Sequence, residues 1–210
     1  THFDRKLQAA MRSGCTQAVL LGAGFDSRPW RLPELAGARV FIVDHPDTAR
    51  QRAYRADQAG LPPAGVQVDV DFRHDDLAEQ LAKAGFSAEE PTAWVWEGVC
   101  MYLTGDKADA LLRQLHPLSA PGSKLLFDTW SPVKSGLQHR YEGLGRMLLR
   151  RFGEPLRYHA DEAAAEQLCA ETGWRIDDTR RCAAVDGHAG AHTAIVLNTA
   201  SYVEPSGLLR

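Results

Sequence analysis

The sequence predicts a single α/β domain in which a parallel β-sheet carries helices on both faces. Three observations predict it. Apolar runs of strand length recur along the chain, helical stretches alternate with the first five of them, and the earliest runs are continuous. Continuous apolar runs are typical of strands that are buried on both faces. With 210 residues and a 44% hydrophobic share, the chain is long enough to bury such a core as one domain.

Seven segments are predicted as strands. They are Ala18–Gly22, Arg39–Asp44, Val66–Asp71, Thr92–Gly98, Ser123–Trp130, Trp174–Arg180 and His192–Thr199. The first two are continuous apolar runs and are expected in the centre of the sheet. The third alternates apolar and polar residues, which is the other pattern that is typical of strands. The last two strands would close the domain.

Helices are predicted in six segments. They are an opening helix around residues 7–11, Asp47–Ala59, Asp75–Ala84, Thr104–His116, Leu137–Phe152 and Asp161–Thr172. Pro46 stands where the second of them begins, and Gly60 follows its end. Thr104 is the candidate N-cap of the fourth. The fifth is amphipathic and basic and falls outside the strand–helix alternation, so we interpret it as a helical insertion at about residues 132–152.

Composition and charge exclude several classes of function. The net charge is −3, which favours neither nucleic acid nor an anionic membrane as a partner. No apolar run approaches the roughly 20 residues that a membrane-spanning helix needs. The four cysteines, Cys15, Cys100, Cys169 and Cys182, are scattered without a C-x-x-C pair. We therefore expect reduced thiols, a cytoplasmic location and no zinc site. The oligomeric state is left open by the sequence.

The loop after the first strand, within VLLGAGFDSRPWRL, carries Gly22, Gly24 and the acid Asp26. Glycines let a backbone approach a ligand closely, because no Cβ stands in the way. A dinucleotide-binding loop would have a third glycine in the pattern G-x-G-x-x-G, but Ser27 stands at that position. The loop therefore disfavours an NAD site. It suits a ligand that has an adenosine but no pyrophosphate, and S-adenosylmethionine is such a ligand.

Acids follow each of the first four strands. They are Asp26, Asp44, Asp71 and Glu97. Parallel α/β sheets bind ligands at the carboxyl ends of their strands, so these acids should meet at one rim. Each of them could instead cap a helix. In the functional interpretation, Asp44 accepts from ribose hydroxyls, Asp71 accepts from the adenine amino group, and Glu97 faces the cationic methionine end.

Several motifs together resemble the leucine carboxyl methyltransferase family. They are LLGAGFDSRPWRL, FIVDHPDTARQR, VDFRHDDLAEQLAKAGF and WEGVCMYLT, joined later in the chain by GEPLRYHADEAAAEQLCAETGWRI. The likeness covers residues 1–104 and resumes at residues 153–176. It is greatest to the bacterial branch of S-adenosylmethionine-dependent O-methyltransferases, which is associated with polyketide tailoring. The segment at residues 132–152 matches only in being a helical insertion.

The resemblance implies a class I methyltransferase (Rossmann-like) fold, with a mostly parallel seven-stranded sheet whose last strand is antiparallel. It places Gly22 against the methionine part of the cofactor, Asp44 at the ribose, and Glu97 near the amino group. The full set of positions that it assigns to cofactor binding is Gly22, Ala23, Gly24, Asp44, Asp71, Phe72 and Glu97. The family also has an N-terminal helical segment with an arginine for the cofactor carboxylate. The sequence begins just after that position and is expected to lack the segment.

The sequence offers weak candidates only for a catalytic residue. Methyl transfer needs alignment of nucleophile, methyl and sulfur, and a carboxylate acceptor needs no general base. A phenol or alcohol would need one, and Tyr102 and His139 are the available candidates. His188 and His192 have a metal-ligand spacing on a helix, but their glycine-rich surroundings favour a loop, so no metal is expected.

The leading hypothesis is an S-adenosylmethionine-dependent O-methyltransferase that modifies a carboxylate or hydroxyl of a small molecule, with a polyketide-type metabolite as the expected acceptor. One alternative is an S-adenosylmethionine-binding module without turnover. Another is an NAD-linked oxidoreductase, which Ser27 and the lack of a Tyr-x-x-x-Lys pair disfavour. The identity of the acceptor cannot be read from the sequence.

Overall fold

A computed structural model of the chain describes residues 1–72, 74–100, 105–131, 160–183 and 194–205. Seven strands form one sheet, and the strand bounds are β1 Gln17–Leu21, β2 Arg39–Asp44, β3 Val66–Asp69, β4 Thr92–Trp96, β5 Lys124–Ser131, β6 Trp174–Ala183 and β7 Ala194–Tyr202. The strand order across the sheet is β3-β2-β1-β4-β5-β7-β6. The helical insertion expected at residues 132–152 lies outside the described residues.

The direction of the strands confirms the expected sheet. β1 pairs in parallel with β2 and β4, and the parallel pairing continues outward to β3 and β5. β7 runs antiparallel to both of its neighbours, β5 and β6. The sheet is therefore seven-stranded and mostly parallel, with an antiparallel last strand. The order reverses between β1 and β4, which opens a crevice at their carboxyl ends.

The described helices are α1 His2–Arg12, α2 Arg28–Arg31, α3 Pro46–Gln58, α4 Leu77–Lys83, α5 Gly105–Leu115 and α6 Glu162–Glu171. The short helix α2 was not predicted from the sequence, although Pro29 lies in its first turn. Asp161 is the N-cap of α6, and its side chain accepts from the backbone N–H of Ala164. Thr104, the candidate cap of α5, lies outside the described residues.

Both faces of the sheet are buried. On one face the side chains of Val19, Phe41 and Trp94 belong to a core cluster that includes Leu81 of α4 and Leu112 of α5. The alternate residues along the same strands, such as Leu20 and Ile42, pack on the other face against α1 and the turn after α2. Two-sided burial explains why these strands are continuous apolar runs, and it confirms helices on both faces.

Two strands end earlier than the sequence predicted, and this places two acids in turns. β3 stops at Asp69, and the backbone N–H of Asp71 is bound by the side chain of Asp75, 2.8 Å away, in the turn that follows. β4 stops at Trp96, one residue before Glu97. Asp71 and Glu97 therefore lie in turns at the carboxyl edge of the sheet.

Candidate active site

The glycine loop after β1 is tightly folded. Gly22 has φ +60° and Gly24 has φ +50°, a region in which side-chain-bearing residues are strained. The backbone N–H of Ala23 donates to the carbonyl of Val43 (3.1 Å), which ties the loop to β2. A Cβ on Gly22 would lie 2.4 Å from Cγ2 of Val99. The space beside Gly22 is therefore taken by Val99, whereas Gly24 is open apart from one carbonyl at 4.0 Å.

Replacing Gly22 by alanine should cost about 2–3 kcal/mol of folding free energy, because about 1–2 kcal/mol of left-handed strain adds to the clash with Val99. Gly24→Ala is the matched control, since it carries the strain without the clash. Adding Val99→Ala to Gly22→Ala should recover part of the loss, which chemical denaturation would measure. An equal loss of folding free energy in Gly22→Ala and Gly24→Ala would show that Val99 is not the reason why position 22 needs a glycine.

Asp44 ends β2 and holds the glycine loop. Its Oδ2 accepts from the backbone N–H of Gly24 (2.5 Å), and its Oδ1 accepts from the backbone N–H of His45 (2.7 Å). Each carboxylate oxygen has a second lone pair, so Asp44 can accept further hydrogen bonds. The carboxylate is thus fixed in place by the backbone and retains capacity for hydroxyl donors.

His45 links the acid after β2 to the acid after β3. Its Nδ1 accepts from the backbone N–H of Asp47 (3.2 Å) at the start of α3, and its Nε2 lies 3.7 Å from Oδ2 of Asp71. An acceptor at Nδ1 leaves the proton of a neutral ring on Nε2, toward Asp71. Phe72, the next residue, is partly buried against the core. Asp44 and Asp71 therefore occupy one part of the rim, with Phe72 next to Asp71 in the chain, and their role in cofactor binding stays a prediction.

Arg28 is the centre of an ionic cluster that sequence reasoning missed. Its Nε donates to Asp4 of α1 (2.8 Å), its Nη1 to Asp26 (2.6 Å), and its Nη2 to Glu97. Arg28 is only 5% exposed. Burial alone would lower the pKa of Arg28, but the charges of Asp26 and Glu97 outweigh it and raise that pKa. Two of the four acids predicted at the rim therefore share one buried cation.

Arg31 completes this cluster from the last turn of α2. Its two terminal nitrogens donate to the two carboxylate oxygens of Asp4 at 2.7 and 2.8 Å. These bonds hold the pKa of Asp4 well below its usual range despite burial. One signal could have revealed the cluster: several acids predicted at one rim require a counter-charge, and Arg28 follows Asp26 by two residues.

A cavity of about 290 Å³ lies at the carboxyl ends of β1 and β4, where the strand order reverses. Of the residues predicted to bind a cofactor, Gly22, Ala23 and Glu97 line it. Arg28 and Arg31 line it too, and the side chains of Glu97 and Arg31 are 39% and 41% exposed. Gly24, Asp44, Asp71 and Phe72 do not line the cavity. Gly24 and Asp44 adjoin it through the glycine loop.

Asp128 is a second functional candidate that the sequence analysis did not single out. It is 3% exposed, and its Oδ1 accepts from the backbone N–H of Gly98 (2.9 Å), the residue after Glu97. Cys100 donates its thiol to the carbonyl of Asp128 at 2.6 Å. Burial raises the pKa of Asp128 to about 6, and the charge of Glu97 acts in the same direction. An acid within the otherwise apolar run LLFDTW was the available signal.

Several predicted residues cannot be placed. Tyr102, His139, His188 and His192 lie outside the described residues. Within the described ranges, no group of three or more His, Cys, Asp or Glu side chains is arranged to hold a metal ion. The helices of those same ranges include none that combines the length and apolar character needed to cross a membrane.

Solved structures with the same fold include methyltransferases. Mitomycin 7-O-methyltransferase matches with a TM-score of 0.62 at 18% identity, over 96% of this chain and 56% of that protein. Magnesium protoporphyrin IX methyltransferase from Synechocystis PCC 6803, solved with bound S-adenosylhomocysteine, matches with a TM-score of 0.61 at 14% identity, over 96% of this chain and 82% of that protein. At these identities the likeness shows the fold alone, which is the class I methyltransferase fold.

Sequence relatives give the family. A candidate S-adenosylmethionine-dependent methyltransferase of Parafrankia sp. (strain EAN1pec) is 42% identical over 60% of this chain and 41% of its own length. One from Mycobacterium tuberculosis (strain ATCC 25177 / H37Ra) is 36% identical over 84% of this chain and 58% of its own length. This chain thus spans about half the length of these relatives. Residues 1–116 match the profile described as "Leucine carboxyl methyltransferase". The chain belongs to the leucine carboxyl methyltransferase family.

Proposed function

We propose that this chain binds S-adenosylmethionine and forms the cofactor-binding part of an O-methyltransferase that acts on a small molecule. The observation that carries the proposal is the carboxylate of Asp44, held by two backbone N–H groups beside the glycine loop, next to a cavity lined by Glu97. Family membership and the class I fold support it.

The residues present fit the parts of this cofactor. Asp44 would accept from the ribose hydroxyls, and Asp71 with Phe72 would take the adenine. Glu97 would face the ammonium of the methionine part across the cavity. Gly24 supports the fit because its open side leaves room at the loop. Charge supports it as well, since the carboxylate of Glu97 lines the cavity and is 39% exposed, so a cationic ligand there would meet it.

When bound, S-adenosylmethionine supplies a methyl group on a sulfonium, already activated for displacement. The residues of this chain then have to bind, orient and exclude water, and alignment accounts for much of the rate in such reactions. A carboxylate acceptor would need no base. Asp128, the described acid with a pKa raised to about 6, is too buried to reach an acceptor. Tyr102 and His139 remain proposals as bases for a hydroxyl acceptor.

The acceptor proposed here is a carboxylate or hydroxyl of a small molecule of polyketide type, and the setting proposed is cytoplasmic. Buried thiols that form no disulfide, at Cys15, Cys100 and Cys169, are compatible with a reducing compartment. Neither nucleic acid nor membrane is proposed as a partner, because the net charge of −3 gives no long-range attraction to either.

Titration calorimetry with S-adenosylmethionine, S-adenosylhomocysteine and NAD tests the cofactor directly. Binding of the first two without NAD is the expected result, and binding of NAD alone would refute the proposal. Transfer of a labelled methyl group to panels of carboxylic acids, phenols and alcohols then tests the reaction. Cofactor binding without transfer to any panel member would favour a binding module without turnover.

Asp44→Ala is expected to weaken S-adenosylmethionine binding by about 10–100-fold, because hydrogen bonds to a charged acceptor are worth roughly 1.5–3 kcal/mol. Asp69→Ala is the matched control. Asp69 is the register partner of Asp44 on β3 and is exposed, so its removal should leave binding unchanged. Calorimetry on both variants, with melting curves to show that they are folded, makes the comparison. Undiminished binding by Asp44→Ala would contradict the assigned site.

A further inference from the structure

Asp128 lies directly behind the turn that presents Glu97 to the cavity. The register of β4 and β5 pairs Trp96 with Phe127, so the next position along the chain is Glu97 after the end of β4 and Asp128 within β5. The bond from the Gly98 N–H to Asp128 then fixes the backbone of the turn, where Gly98 has φ +73°. This acid touches the site through Glu97 and Gly98 and does not line the cavity itself.

The other acids near the cavity have cationic partners. Asp4, Asp26 and Glu97 share the two guanidinium groups of Arg28 and Arg31. The buried guanidinium of Arg52 also lies beside Asp26, where it donates to the backbone carbonyl at 2.6 Å. Asp128 adds a fourth carboxyl group, and within the described residues no ion pair joins it to a lysine, arginine or histidine. When ionised, it therefore adds a negative charge behind the cavity that no described ion pair compensates.

We propose that Asp128 is a specificity-determining residue that makes this cavity favour a cationic sulfonium ligand over the neutral thioether left after its methyl group is lost. The proposal rests on the function proposed above and deepens it. S-adenosylmethionine carries one positive charge more than S-adenosylhomocysteine, and the two are otherwise alike apart from one methyl group. A buried negative charge behind the cavity stabilises the first selectively and so assists release of the second.

The surroundings of Asp128 leave its charge sensitive to pH. Glu97, the residue after β4, is the charged group that acts on Asp128, and the thiol of Cys100 lies three residues further along the chain. β7 places the uncharged Leu197 opposite Asp128, and Asp4 of α1 is held by its arginines. Burial foremost, and then Glu97, keeps the pKa of Asp128 raised to about 6. The charge is therefore present above that pH and lost below it.

Asp128→Asn tests the proposal, because the asparagine oxygen can still accept from the Gly98 N–H while the charge is removed. Calorimetry should show S-adenosylmethionine binding weakened about fivefold and S-adenosylhomocysteine binding nearly unchanged, the order expected of one unit charge acting through a partly screened interior. Asp57→Asn, on the exposed surface of α3, is the charge-matched control and should alter neither affinity.

A pH series on the unaltered protein tests the same charge without any substitution. Between pH 7 and pH 5, its preference for S-adenosylmethionine over S-adenosylhomocysteine should fall toward that of Asp128→Asn, while the preference of the variant changes less. Equal weakening of both ligands in Asp128→Asn would indicate a merely structural role and overturn the proposal alone. If the unaltered protein binds neither compound, the proposed function fails, and this inference fails with it.

Discussion

Replacing Arg28 by alanine is expected to lower the free energy of unfolding by about 3–5 kcal/mol, the cost of breaking a buried ion pair from one side. The guanidinium is 5% exposed and donates to three different carboxylates. Its removal leaves Asp26 and Glu97 at the cavity without their shared cation. Asp4 keeps an ion-pair partner, because Arg31 still donates to both of its carboxylate oxygens. Chemical denaturation at neutral pH would measure the loss.

Two further variants separate the contributions in this cluster. Arg28→Lys keeps the charge, but an ammonium group cannot donate to three carboxylates as the planar guanidinium does. We therefore expect a loss in the free energy of unfolding that is smaller than in Arg28→Ala. Arg31→Ala should cost less, since the Arg31 side chain is 41% exposed and water screens its pair. A loss in Arg28→Ala no greater than that in Arg31→Ala would contradict the central role of Arg28.

The sheet and its acidic rim could be predicted because both follow from patterns of neighbouring residues in the sequence. Continuous apolar runs gave β1 and β2, and the acid that follows each strand gave the positions of Asp44 and Glu97. Parallel strands end at the same edge, so placing these acids at one rim needed no knowledge of the strand order.

The ionic cluster could not be predicted in the same way, because its members meet only in the folded chain. Asp4 comes from α1, Arg28 from the unpredicted helix α2, and Glu97 from the turn after β4. Periodicity does not report such pairings. The contact between Gly22 and Val99 is of the same kind: the sequence suggested a glycine that makes room for a ligand, whereas a valine 77 positions later occupies the space.

Asp128→Asn should also change how stability depends on pH. The ordinary pKa of an aspartate is 3.8, and burial raises that of Asp128 to about 6 in the folded protein. Ionised Asp128 therefore destabilises the folded state, whereas below about pH 3 the group is mostly protonated in both states and costs little. Relative to the variant, the unaltered protein should lose about 3 kcal/mol between pH 3 and pH 7.

Denaturation curves for both proteins at several pH values give this difference directly, because all other titrating groups are common to the two. The difference in free energy of unfolding between the two proteins should develop with a midpoint between pH 4 and pH 6. A difference that stays constant across this range would show that Asp128 titrates normally when folded. An acid retained at such a cost to stability needs a compensating role, and the charge that it lends to the cavity behind Glu97 provides one.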